Sequence, residues 1–296
     1  MLITQKMMPL NNGFKVPAIG IGTSDAKPAD LEKAILCAID AGYRHIDCSP
    51  IFGNEEAVGI ALQMKFAYGS VKREDMFITS KLWNDCHGKG KVRSACEETL
   101  KKLKLKFLDL YLIQWPTAFQ EMEKLVDAGL VKSIGLSNFN EAQIERVLKI
   151  CTIKPVMLQI EISVNFLNER LVEFAHSYGI QVTAYAPLGS PGRMQHAHFP
   201  SLLEEDFVKE IARAHFKSPA QVLLRHAIQR DLIVIPKSVN PEQIRSNLNI
   251  FDFELKPEEM NILNSRGRNF RLFKFPEIKN HPEYPFKEEL AADLHQ

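Results

Sequence analysis

The sequence predicts an α/β fold: a (β/α)8 TIM barrel with an N-terminal hairpin and a C-terminal loop. Short apolar runs alternate with amphipathic helical patterns, and the runs lie at 16–22, 45–48, 76–82, 108–114, 133–136, 156–162, 181–186 and 232–235. Most are near-continuously apolar, as strands buried on both faces are. Eight strand–helix units in 296 residues also match the size of such a barrel. A doubly wound open sheet is the alternative. It needs a glycine-rich phosphate loop after the first strand, and Gly20-Ile21-Gly22-Thr23-Ser24-Asp25 lacks that spacing. No linker, low-complexity tract or tandem repeat divides the chain, so residues 1–296 are expected to form a single domain.

Each element has its own signal. Residues 2–16 carry Asn11-Asn12-Gly13, a hairpin turn signal, and this hairpin is expected to plug one end of the barrel. Leu31, Ala34, Ile35, Ala38 and Ile39 recur at helical spacing, and Gly42 is the stop. Val92, Ala95, Cys96, Leu100 and Leu103 form a second stripe, and Leu171, Phe174, Ala175 and Tyr178 a third. Residues 206–217, with Val208, Ile211 and Ala212, read as an extra helix outside the repeat. After about residue 265 the chain is rich in Phe and Pro (Phe270, Phe273, Phe275, Pro276, Pro282, Pro285). This tail reads as an ordered loop wrapping the barrel, its rings used for packing.

Composition excludes several classes. With 37 basic and 36 acidic side chains the formal charge is +1, so no overall field draws the chain onto nucleic acid or anionic lipid. No uncharged apolar stretch reaches the ~18 residues of a membrane span. The first residues lack the apolar run of a signal peptide. Cysteines stand at 37, 48, 86, 96 and 151, odd in number and without a C-x-x-C pair. That argues against a disulfide framework or structural zinc and for thiols in a reducing cytosol. A cytoplasmic monomer is expected. His196 and His198 form an H-x-H without a visible third ligand, so no metal is expected. His87 reads as a residue of a loop rim.

In such barrels chemistry sits at the C-terminal ends of the strands. Polar residues end every apolar run: Thr23, Asp47, Lys81, Gln114, Ser137 with Asn138, Gln159 with Glu161, Tyr185, and Lys237 with Ser238. Together they define a convergent site. Asp47 and Lys81 lie within buried strands on neighbouring units, where isolated charges are costly, so the two should pair. Such a pair is either structural or holds a proton donor in place. Lys237 and Ser238 precede a helix that begins near Pro241, a plausible phosphate site.

Seven motifs resemble the aldo-keto reductase family. They are Leu10-Asn11-Asn12-Gly13, Gly42-Tyr43-Arg44-His45-Ile46-Asp47-Cys48, Ile78-Thr79-Ser80-Lys81-Leu82-Trp83, Gly135-Leu136-Ser137-Asn138-Phe139-Asn140, Ala184-Tyr185-Ala186-Pro187-Leu188-Gly189-Ser190, Ile235-Pro236-Lys237-Ser238-Val239 and His281-Pro282-Glu283-Tyr284-Pro285-Phe286. The resemblance implies a barrel that binds NADP(H), with NAD(H) an alternative, and no Rossmann domain. It implies reduction of small-molecule aldehydes or ketones: hydride comes from the nicotinamide, a tyrosine hydroxyl protonates the carbonyl oxygen, and a histidine orients it. By position, Asp47 and Lys81 are the pair that tunes the tyrosine. Tyr185 would stack on the nicotinamide, and Ser137, Asn138 and Gln159 would hold its carboxamide. Thr23, Leu188, Ser190, Lys237, Ser238 and Asn247 would line the rest of the cofactor channel.

The chain departs from that pattern where protons are handled. The tyrosine position is Phe52, which has no hydroxyl, and the histidine position is Gln114. A general acid contributes about 10²–10⁴ in rate. The amide of Gln114 can donate to a carbonyl oxygen but cannot act as an acid or base. Gln114-Trp115-Pro116-Thr117 runs almost directly into the helical pattern from Phe119, where relatives usually insert a pocket-walling loop. Ser24 and Ser163 replace a frequent Trp and His. Gln243 stands where an arginine normally grips the 2′-phosphate, leaving Lys237 and, nearby, Arg245. Tyr43 precedes the second strand, at the wrong end of the barrel to replace Phe52. Three readings follow: a reductase with weak or altered activity, its proton from water or Lys81; a non-catalytic nicotinamide-binding sensor or scaffold; and a ligand-free structural form.

Overall fold

The structure, a computed structural model, describes residues 5–88, 90–114, 119–192, 200–287 and 289. His196, His198, Lys89 and the stretch Trp115, Pro116 and Thr117 lie outside them. A two-stranded hairpin comes first: β1 (Met7–Pro9) pairs antiparallel with β2 (Lys15–Pro17). Its turn carries Asn11, whose side-chain amide donates to Pro155 O (2.9 Å) and Gly179 O (3.2 Å), while that of Asn12 reaches Ser133 Oγ (2.9 Å). These bonds fasten the plug beneath the strand starts.

Eight parallel strands follow in chain order around the sheet. They are β3 (Ile21–Gly22), β4 (His45–Asp47), β5 (Phe77–Leu82), β6 (Leu110–Ile113), β7 (Ile134–Ser137), β8 (Met157–Glu161), β9 (Gln181–Tyr185) and β10 (Ile233–Val234). The ends meet: Gly20 N donates to Val234 O (2.8 Å), Val234 N to Ala18 O (2.9 Å) and Gly22 N to Pro236 O (3.0 Å). The sheet is therefore a closed (β/α)8 barrel. One expected strand is corrected. The run 16–22 splits, with Val16 and Pro17 in the hairpin and Ile21 and Gly22 in the barrel. Pro17 has no N–H for a central ladder, so it suits only an edge. The other strands lie within a residue or two of their expected limits.

Helices cover the barrel: α1 (Pro28–Ala41), α2 (Glu55–Ala67), α3 (Lys91–Leu103), α4 (Phe119–Asp127), α5 (Glu141–Ile150), α6 (Glu169–Ser177), α7 (Asp206–Ala214), α8 (Pro219–Gln229), α9 (Pro241–Leu248) and α10 (Pro257–Ser265). The predicted stripe of α1 is the buried one, and Gly42 ends that helix in the left-handed region (φ 116°). The extra helix is α7. It packs Val208, Ile211 and Ala212 against Val222 and Leu223 of α8 in a second core. Tyr43 is buried just before β4, and its hydroxyl donates to Ile244 O on α9 (3.1 Å), whereas Phe52 follows β4. The cysteines are free thiols. No helix among the described residues is long and apolar enough to cross a membrane.

Two histidines are sealed into this fold. His45 faces Thr79 Oγ1 (3.3 Å) inside the barrel, and His226 on α8 shares a 2.7 Å hydrogen bond with Asn264 Oδ1. Burial lowers each pKa from 6.5 to about 4. The folded state thus favours the neutral rings. Their contribution is present above the unfolded value and is lost as pH falls from about 6.5 through 4. We expect urea-unfolding free energy to drop over that window by up to ~3 kcal/mol per histidine, and His226→Gln to flatten the profile.

Candidate active site

Asp47 ends β4 in register with Thr79, and Lys81 lies two residues beyond Thr79, near the end of the adjacent β5. Side chains two apart share a face, so both point into the barrel mouth. Lys81 Nζ donates to Asp47 Oδ1 (2.5 Å) and to Cys48 O (2.9 Å). Asp47 Oδ2 accepts from Gln159 Nε2 on β8 (2.7 Å), and the Asp47 carbonyl accepts from Thr23 Oγ1 (2.9 Å). Asp47 and Lys81 are each only 3% exposed. The burial of two charges is tolerated because the pair is saturated with further hydrogen bonds. Four strand ends, β3, β4, β5 and β8, are thereby tied together.

Phe52 closes a short 3-10 turn, Pro50–Phe52, directly after β4. Its half-buried ring centroid lies 5.7 Å from Lys81 Nζ, at the outer range of a cation–π contact. Lys81 Nζ thus donates to Asp47 and Cys48 and has the Phe52 ring as its aromatic neighbour. Gln114 follows β6 and is half-buried, and its Oε1 has no partner among the described residues. Cys48 is buried within the same shell, where burial pushes its thiol pKa well up, so it is no nucleophile.

A second cluster forms across the mouth. Ser137 ends β7 in register with Gln159. Asn138 is left-handed (φ 59°), and its Oδ1 accepts from the Tyr185 hydroxyl (3.0 Å). Asp25, Ala186 and Ser190 also take positive φ in loops that follow barrel strands. Non-glycine residues held in this region mark functional loops more often than chance. Leu188 and Ser190 lie half-buried on the loop after β9.

The third cluster surrounds the start of α9, and here one expectation changes. Lys237 is exposed, with Nζ 3.5 Å from Asp25 O. The amides of Glu242 and Gln243, however, are taken by the Asn240 side chain (2.9 and 3.2 Å). Ser238 Oγ donates to Gln243 Oε1 (2.9 Å) and accepts from Asn240 N (3.0 Å). The helix N-terminus is therefore largely self-capped, and an anion there would rely on Lys237 and the exposed Arg245. Asn247 is buried on α9.

Residue-by-residue reading of strand ends misses Asn54 and Glu55. Asn54 Nδ2 donates to Thr23 O (2.8 Å) and Ala26 O (3.1 Å), fixing the loop after β3. Glu55 is buried behind Lys81, accepting from Ser80 Oγ (2.8 Å) and Thr99 Oγ1 (3.4 Å), and burial raises its pKa. Their sequence signal is the Asn-Glu that follows Phe52 and Gly53, a pair the family resemblance includes. His87 is half-buried past β5, and burial lowers its pKa.

Residues 18–267 match the model of the aldo/keto reductase family. The chain belongs to that family. It is 42% identical to aldo-keto reductase family 1 member A1 of Gallus gallus, over 94% of this chain and 97% of the relative. With the Mus musculus protein of the same name it shares 40% over 97% and 99%. Among solved structures, the aldose reductase of Schistosoma japonicum superposes with a TM-score of 0.90 at 47% identity, over 96% of this chain and 99% of that one. The Bombyx mori aldo-keto reductase in complex with NADP superposes at 0.91 with 36% identity, over 96% and 99%. The chicken alignment spans 316 positions yet covers only 94% of a 296-residue chain, so that relative carries insertions this one lacks.

Asn54→Ala strips two buried carbonyls of their donor. We expect ~2 kcal/mol of lost stability by urea denaturation, with native-like circular dichroism at low denaturant.

Proposed function

We propose that this protein binds NADP(H) across the strand ends and reduces small-molecule aldehydes or ketones slowly. The observation that carries the reading is Phe52 beside a Lys81 whose ammonium is already engaged by Asp47 and Cys48. The strand ends carry the residues we assign to a nicotinamide, and Phe52 has no hydroxyl to protonate an alkoxide.

The residues fit the cofactor. Tyr185 offers a half-buried ring, oriented by its bond to Asn138. Ser137, Asn138 and Gln159 would hold the carboxamide, Asn138 through the amide hydrogens its bond to Tyr185 leaves free. Thr23, Leu188 and Ser190 would border the pyrophosphate and ribose, and Lys237, Ser238 and Asn247 the adenosine end. When bound, NADPH supplies a hydride. Asp47 fixes Lys81, and Lys81 keeps positive charge near the carbonyl oxygen. Gln114 donates an amide hydrogen bond to that oxygen and transfers no proton. Water then protonates the alkoxide. The NADP complex of the Bombyx mori relative supports the cofactor assignment.

A second reading, a cofactor-binding protein without turnover, is favoured by the simultaneous change at Phe52 and Gln114 while the Asp47 cluster stays saturated. Under either reading we take the protein to be a cytoplasmic monomer that holds neither nucleic acid nor membrane, consistent with its formal charge of +1.

Titration with NADPH and NADH, followed by cofactor fluorescence and then an aldehyde panel, tests the reading. We expect NADPH binding and slow turnover. Phe52→Tyr with Gln114→His should raise kcat ~10²–10⁴-fold. Binding of neither nucleotide would overturn the reading, and binding with no detectable turnover would select the second. Gln243→Arg, which restores a forked cation, should tighten NADPH about ten-fold and leave NADH unchanged.

A further inference from the structure

Glu161 is a buried carboxylate outside the roles assigned so far. It ends β8, in register with Tyr185 on β9, and is 3% exposed. Both of its oxygens are used by the tail: one accepts from Leu272 N and the other from Phe273 N, each at 2.8 Å. Beside it lies Arg271, which is 4% exposed. Its guanidinium is held by Glu289 through two bonds (2.7 and 2.8 Å) and lies over the rings of Phe286 (3.7 Å) and Phe166 (4.5 Å).

The tail therefore crosses the barrel mouth on fixed rails. It enters at Gly267, where an added Cβ would meet Val164 O at 1.8 Å, so only glycine fits. Phe270 N then donates to Asn165 O (3.0 Å). Glu161 seizes the next two amides, and the consequence is local: the ring of Phe273 stands edge-on to Tyr185, with centroids 5.5 Å apart at 87°. Phe275 extends the same aromatic surface, 6.3 Å from Phe273. A strand-end carboxylate facing a neighbouring strand would ordinarily be solvated. Here it is buried, and its two oxygens fix one turn of tail against the Tyr185 ring.

We propose that Glu161 is a positioning residue: it latches the C-terminal strap so that Phe273 buttresses Tyr185 and walls the ligand site. This deepens the reading above and rests on it. A latch of this kind is linked to the ligand in both directions. A strap that holds Tyr185 in place strengthens nucleotide binding, and bound nucleotide slows opening of the strap. The aromatic surface of Tyr185, Phe273 and Phe275 favours ligands with a flat apolar body beside the nicotinamide.

The test is amide hydrogen exchange on the full chain, with and without NADPH, in wild type, Glu161→Gln and Glu161→Ala. The alanine variant should expose Leu272 and Phe273 to exchange at least ten-fold faster. The glutamine variant, which keeps one acceptor oxygen, should fall between. Amides of β5 should be unchanged in both, which excludes general unfolding. The dissociation constant for NADPH should rise in the same order, about ten-fold for alanine. Unchanged exchange at Leu272 and Phe273 would overturn the latch. Faster exchange there with unchanged NADPH affinity would overturn its coupling to the site. Failure of wild type to bind NADPH would instead overturn the function proposed above, and exchange in the two variants would still decide the latch.

Discussion

The structure of the site depends on one buried ion pair. Two charges inside a barrel mouth are costly unless every lone pair and proton is answered. Answering them determines the architecture. Asp47 takes Lys81 on one oxygen and Gln159 on the other, and its carbonyl takes Thr23. Lys81 turns its remaining reach to Cys48 O. Asn54 then fixes the carbonyl of Thr23, and Glu55 braces Ser80, the residue before Lys81. Removing either charge would leave the other stranded. The pair stands beside Phe52, a ring with no hydroxyl to offer.

The candidate site thus has two physically different parts. One part is saturated and buried: the Asp47 cluster, the Asn138–Tyr185 bond and the clasped tail. The other part is neutral, with an apolar ring at Phe52 and, among the described residues, an unpartnered oxygen on Gln114. At the start of α9, Ser238 and Gln243 satisfy each other.

Much of this was legible in the sequence, for physical reasons. Strands buried on both faces read as apolar runs, so the polar residues that end them stand out. Asp47 and Lys81 were paired on cost alone, before any geometry. The first strand was misread because an apolar run does not reveal where one ladder stops, and Pro17 ended it. Self-capping of α9 was hidden because Asn240 looks like an ordinary cap and the competition with a phosphate is three-dimensional. What Asn54 and Glu55 do was hidden because their partners, Thr23, Ala26, Ser80 and Thr99, lie on other elements. The clasp by Glu161 joins residues 111 and 112 positions apart, beyond the reach of any local pattern.

A double-mutant cycle on Asp47 and Lys81 tests the central claim most directly. Asp47→Asn, Lys81→Met and the double variant are compared by urea unfolding. If the pair is the hub, each single change costs ~3–5 kcal/mol, the double costs far less than their sum, and the coupling exceeds about 2 kcal/mol. Additive losses, with coupling near zero, would contradict the account.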